Sequence, residues 1–140
     1  MNAKRLLFST ARAPVSVDLG LLALRLGFAV PIALQHGWPK LMGYGENAAG
    51  FPDPIGLGPE LSLALVIFGE LACGALLAVG LFGRLASIPL VITLGVAFFI
   101  QHAGDPFGDR EAALTYLTAF TALLVGGPGR FSLDRLLAKA

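Results

Sequence analysis

LSLALVIFGELACGALLAVGLF, residues 61–82, is a continuous apolar run interrupted by a single charge, Glu70. About 20 apolar residues suffice to carry a helix across the hydrocarbon core of a bilayer, so this stretch reads as a membrane span. A carboxylate at such a depth costs several kcal/mol unless it is paired or faces a wet cavity. A second run, VDLGLLALRLGFAVPIAL at 17–34, carries Arg25 near its centre. Arg25 lies nine residues before Leu34, and Glu70 nine after Leu61. If the two helices run antiparallel, ~1.5 Å per residue puts both charges roughly 13–14 Å below the same face. This counting predicts a buried ion pair between Arg25 and Glu70.

The rest of the chain extends the same pattern. Its 140 residues are 56% hydrophobic and 14% charged, against about 25% charged in soluble domains, which indicates one small membrane domain over 1–140. A net charge of +1 without a basic run gives no footing for nucleic acid. Spans are expected at about 16–35, 61–82, 85–102 and 106–126, with a loop at 37–58 and a tail at 127–140. The fourth apolar run is short, and Asp105-Pro106 extends it as N-cap and first helical residue. The fold class is therefore all-α, a polytopic bundle of four transmembrane helices. Residues before Pro14 are expected to form a basic surface helix or a tail, with no cleavable signal.

Charge placement orients the bundle. Lys4, Arg5, Arg12, Arg84, Arg130, Arg135 and Lys139 fall on one face, and only Lys40 and Arg110 on the other. Basic residues remain cytoplasmic, which places both termini and the Gly83-Arg84 turn inside, in the inner membrane of a prokaryote. Pro31 and Pro89 each release a backbone carbonyl and are expected to kink their helices. Glycines 69, 74, 80 and 95 are read as points of close helix approach.

Polar side chains gather at the outer end: Gln35, His36 and Lys40 after the first span, and Gln101, His102 and Asp105 after the third. Pro39 is expected to end regular helix between His36 and Lys40. The Asp105 carboxylate is close enough in sequence to orient the His102 imidazole. Histidine and glutamine can hydrogen-bond carbonyl oxygens and handle protons, which suits a quinone head. No local spacing of metal ligands occurs, and no metal or covalent cofactor is expected. Cys73 is the only cysteine, which excludes an intramolecular disulfide or a CxxC redox pair; it reads as core packing.

The motif Leu34-Gln35-His36-Gly37-Trp38-Pro39-Lys40-Leu41 resembles the DoxX family of small membrane proteins. So do Asp53-Pro54-Ile55-Gly56-Leu57-Gly58, Phe68-Gly69-Glu70, the run Gly80-Leu81-Phe82-Gly83-Arg84-Leu85, His102-Ala103-Gly104-Asp105-Pro106-Phe107, and Gly127-Pro128-Gly129-Arg130-Phe131-Ser132-Leu133-Asp134. The resemblance implies a four-helix membrane fold. It also implies kinship with a subunit of archaeal thiosulfate:quinone oxidoreductase and with members of membrane thiol-stress complexes. Thiol chemistry would need paired cysteines, so a quinone-linked subunit beside a redox partner protein is the reading that remains. No complete catalytic motif is present. A non-catalytic membrane scaffold or assembly partner, and a small proton or solute transporter, are the alternatives, and a homo-oligomer is compatible with each.

Cysteines placed singly at Ser9, Gly50 and Gly108 in a Cys73→Ala background test the orientation. An impermeant thiol reagent added outside should label the latter two and spare the first; labelling of the first would reverse it.

Overall fold

The structure, a computed structural model, describes residues 14–138. The basic segment before Pro14 and the tail residue Lys139 lie outside the described residues. Helix α1 runs Val15–Met42, α2 Pro59–Val79 and α3 Gly83–Gln101, and these three are long and apolar enough to cross a membrane. Helix α4, Phe107–Gly126, has 20 residues and carries Asp109, Arg110 and Glu111 near its start. A short helix, α5, covers Leu133–Leu137. The long helices pack side by side, α1 on α2 and α4, and α3 on α2 and α4. Ala29, Ile32, Leu77, Leu90, Phe120 and Leu123 meet in the core, with Cys73 among them. Large apolar side chains such as Leu26, Ile92, Phe99 and Val125 face outward, as lipid-facing positions require.

Helices α1, α2 and α3 each change hydrogen-bond register. They are π-helical over Ile32–Gly37, Phe68–Cys73 and Ala97–Gln101. Pro31 directly precedes the first of these turns. Pro39 does not end α1. The helix runs on through it as the α-helical stretch Trp38–Met42 that follows the π turn. The first helix therefore extends seven residues past Gln35, and much of the expected loop is helical, including Tyr44–Asn47.

The turn between α2 and α3 is Gly80–Phe82 rather than Gly83-Arg84. Gly80, at φ 75°, closes α2 with paired bonds from its own N–H to the Leu77 carbonyl (3.0 Å) and from Leu81 N–H to the Leu76 carbonyl (2.9 Å). This is a Schellman termination, and the left-handed residue in it favours glycine. At the other boundary, Pro106 is the N-cap of α4 with no side-chain cap bond, and Asp105 turns to His102 instead.

Gly37 sets the spacing of α1 and α2. A Cβ there would lie 2.6 Å from the Leu71 backbone nitrogen and 2.8 Å from its Cα. Backbone on both sides cannot yield as a side chain could, so the π turns of the two helices meet only across a glycine. Gly69 and Gly74 are also close-contact positions, facing Thr93 and Ala33, whereas Gly95 has nothing within 4 Å. Gly37→Ala should lower the detergent-solubilised Tm and the folded yield sharply. Gly95→Ala, with open space and better helix propensity, should leave both unchanged or slightly raised.

Candidate functional site

The two charges that define the sequence do not meet. Arg25 reaches toward the end of the molecule that carries the termini. Its Nε donates to the Ala78 carbonyl (3.1 Å), Nη1 to the Pro128 carbonyl (2.7 Å) and Nη2 to the Phe131 carbonyl. Helix α2 ends at Val79 with carbonyls that have no intrahelical partner, and a guanidinium with five donors suits them. Asp134 acts on Arg25 as a counter-charge while capping α3. It accepts from Phe82 N–H (2.7 Å) and Gly83 N–H (2.8 Å), where a carboxylate is favoured by the unpaired donors and the helix dipole. Asp18 completes this clasp, 2.8 Å from the Arg130 Nε and accepting from Arg130 N–H.

The expected pairing fails because the counting began from the wrong helix ends. Measured to Met42, Arg25 is 17 residues below the loop end, whereas Glu70 is 11 below Pro59. Six residues of helix separate their depths by about 9 Å.

Glu70 pairs instead with Lys40, Nζ to Oε2 at 2.6 Å. The carboxylate is 9% exposed and the lysine 28%, so the pair sits at the edge of the packed interior. Continuation of α1 past Pro39 is what brings Lys40 back over α2. Lys40 Nζ also approaches its own helix at the His36 carbonyl (3.5 Å).

Lys40 and Glu70 line a cavity of about 460 Å³, together with His36, Gln101 and His102. Four of the six expected polar positions, His36, Lys40, Gln101 and His102, thus share one site, joined by Glu70, which was expected in the ion pair with Arg25. Gln35 is exposed and outside the lining; Asp105 touches the site only through His102, Oδ2 to Nδ1 at 2.7 Å. An ionised carboxylate can only accept, so Nδ1 of that ring carries a proton and donates it. Most other lining positions are apolar, among them Ile32, Leu65, Ile92 and Ala113.

Sequence reading missed Tyr116, Thr93 and Asp109 in this lining. Tyr116, on α4, packs edge-on to His36 (centroids 5.8 Å apart, 77°) and to Phe28 (5.5 Å, 90°), and stacks on Phe120 (5.9 Å). A tyrosine midway along an apolar helix, with a hydroxyl to satisfy, was the available signal.

The connection above the cavity is held by Asp53. Its carboxylate accepts from Ser62 Oγ (2.7 Å), Gly58 N–H (2.8 Å) and Leu57 N–H (2.9 Å). Donation from Ser62, then from the Gly58 backbone, holds this carboxyl below its ordinary range, so it stays an ionised acceptor at neutral pH. Phe51, Pro54 and Leu57 from this segment roof the cavity, and Phe51 is anchored over Ala48, Leu63 and Ile67.

The family profile described as DoxX matches residues 20–103. Two Escherichia coli proteins are similar over most of the chain. Inner membrane protein YphA is 29% identical over 96% of this chain and 99% of its own length, and inner membrane protein YqjF is 32% identical over 87% and 95%. A Mycobacterium tuberculosis membrane protein, Rv3486, is 37% identical over 77% of this chain and 76% of its own. No solved structure matches.

A double-mutant cycle separates the two pairings. Lys40→Met and Glu70→Gln should couple by about 0.5–3 kcal/mol, because each single change strands the other group. Arg25→Leu and Glu70→Gln should add independently, since their partners differ. Coupling in the second cycle and not in the first would restore the Arg25–Glu70 pair.

Proposed function

The chain belongs to the DoxX family, and we propose that it is a four-span protein that binds a quinone head in the cavity at its loop end, as the quinone-linked subunit of a membrane redox complex. It is an integral membrane protein of the cytoplasmic membrane. The fourth span is α4, which at 20 residues is about 30 Å long. Its three early charges, with the loop, then lie at the outer interface, and Arg84, Arg130 and Arg135 lie inside.

The observation that carries this reading is the convergence of His36, Gln101, His102 and the Lys40–Glu70 pair on a cavity walled mainly by apolar side chains. Ligand sites commonly have this composition, a few placed polar groups in an apolar pocket of 300–1,000 Å³. Reduction of a quinone to a quinol consumes two electrons and two protons. Electrons would come from a partner protein carrying its own redox centre, since this chain offers no thiol pair. Protons would pass through an imidazole at the site: with Nδ1–H held by Asp105, a doubly protonated His102 would donate from Nε2 to a quinone oxygen. Gln101 and Lys40 can donate to the second carbonyl oxygen.

Binding to the native state alone should stabilise it by about 2.7 kcal/mol at a ligand concentration one hundred times Kd. A decyl-tailed benzoquinone should therefore raise the Tm of the purified protein, and decanol at equal concentration should not. His102→Ala and Glu70→Gln should abolish that rise. Absence of a shift with either benzoquinone or naphthoquinone heads would overturn the reading. Proton or solute flux in liposomes without a redox partner would favour a transporter in its place.

A further inference from the structure

The walls of the cavity are uneven. Helix α2 changes partners along its length: its π turn packs against α3, whereas its first stretch, Pro59–Ile67, packs mainly on the π turn below it, on the Ala48–Gly50 turn and on the end of α1. The last turn of α3, in contrast, leans on α4. The two helices therefore part toward the loop end, and the cavity lies in the parting. Leu65 on α2 and Ile92 on α3 both line it, yet they are 46% and 60% exposed on the outside of the molecule. Side chains that are at once cavity wall and outer surface mark a rim.

The depth of that rim decides what lies beyond it. Leu65 is six residues into α2 from Pro59, and Ile92 nine residues before Gln101. At ~1.5 Å per residue they lie about 9 Å and 13–14 Å below the loop end of their helices, inside a half-bilayer of about 15 Å of hydrocarbon. An opening at that level faces acyl chains and not water. Toward water the cavity is partly covered by Phe51, Pro54 and Leu57, a segment pinned by the three hydrogen bonds to Asp53, while His102, 41% exposed, lines its loop-end margin.

We infer that the cavity is loaded sideways from the outer leaflet, through a portal between α2 and α3 rimmed by Leu65 and Ile92, and that its ligand is an amphiphile with an uncharged, carbonyl-bearing head and an apolar tail that remains in the bilayer. The inference rests on reading this cavity as the functional site. The head is uncharged because the one lysine or arginine in the lining, Lys40, is not free to take an anion. Lys40 is already paired to Glu70, and Asp109 adds a second carboxylate to the lining. A phospholipid phosphate would meet two carboxylates and one neutralised ammonium.

Labelling kinetics test the portal without reference to any quinone. Ala113, on α4, lines the cavity and becomes a reporter as Ala113→Cys in a Cys73→Ala background, in nanodiscs. Pyrene maleimide, which partitions into the bilayer, should react at least tenfold faster than a charged, impermeant methanethiosulfonate. Adding Leu65→Trp or, separately, Ile92→Trp should slow the maleimide at least tenfold while the Tm is retained, and two rim positions guard against misfolding of one. Equal rates for the two reagents, no reaction with either, or a maleimide rate unaffected by both rim changes would each overturn the portal. The head is tested by thermal shift with a tailed benzoquinone against a tail-matched phosphatidic acid, and a shift with the second alone would overturn the uncharged head. Portal labelling as expected with no quinone shift would leave the entrance standing and remove the quinone. A quinone shift with insensitive labelling would keep the site and move its entrance to the roof.

Discussion

A guanidinium in an apolar interior must be surrounded by acceptors, and Arg25 finds them in the backbone at the ends of other segments rather than in a carboxylate. Its carbonyl partners at Ala78, Pro128 and Phe131 tie the first helix to the last turn of the second and to the chain after the fourth. Each is a carbonyl that a helix end or an irregular segment would otherwise leave unpaired, and in hydrocarbon such a group is costly. The same site draws in Asp134, whose carboxylate supplies the start of α3 with the cap its own residues lack. One cation and one anion thus satisfy the backbone where α1, α2, α3 and the C-terminal segment meet. That clasp closes the termini end with polar groups that answer one another.

With Arg25 engaged there, Glu70 is left to the opposite half of the molecule, and the irregular turns explain what it does. The π turns of α1 and α3 fall in the loop-end halves of those helices, and that of α2 spans its middle. An inserted residue of this kind widens the helix and rotates the side chains beyond it, which is why such turns recur at functional sites. His36, Glu70 and Gln101 all stand on π turns, and all three line the cavity. The Gly37–Leu71 contact holds two of those turns at backbone distance. A rigid, close-packed lower half and a parted, roofed upper half follow from this division.

The residues that carry the family likeness serve both halves unequally. Gly80, Gly83, Arg130, Ser132 and Asp134 belong to the clasp, and their geometry is accounted for by helix termination and capping. A likeness built on them transmits a fold and a membrane, and says little about chemistry. Gly37, Lys40, Glu70 and His102 belong to the cavity half, so a functional relationship among family members should be sought in whether those positions keep their chemical types.

Hydrophobic run length by itself determined that this is a helical membrane protein, because crossing about 30 Å of hydrocarbon demands some 20 apolar residues whatever the tertiary context. It also singled out Arg25, Glu70, the histidines and Lys40, since ionisable groups in apolar sequence are conspicuous on composition alone. The burial of Cys73 and the tight packing at Gly69 and Gly74 were legible for the same local reasons. Pairing was not. Whether Arg25 meets Glu70 depends on where helices begin and end, and those ends depend on a π turn that lets α1 continue past Pro39 and on a Schellman turn that stops α2 at Val79. Asp18 and Asp134 look like ordinary interfacial acids in one dimension, and Tyr116 like an ordinary aromatic. Only the fold reveals them as a clasp partner, a helix cap supplied from another segment, and a wall of the cavity. Sequence fixes the cost of leaving a polar group in hydrocarbon, while the identity of the group that relieves it is a matter of distance in three dimensions.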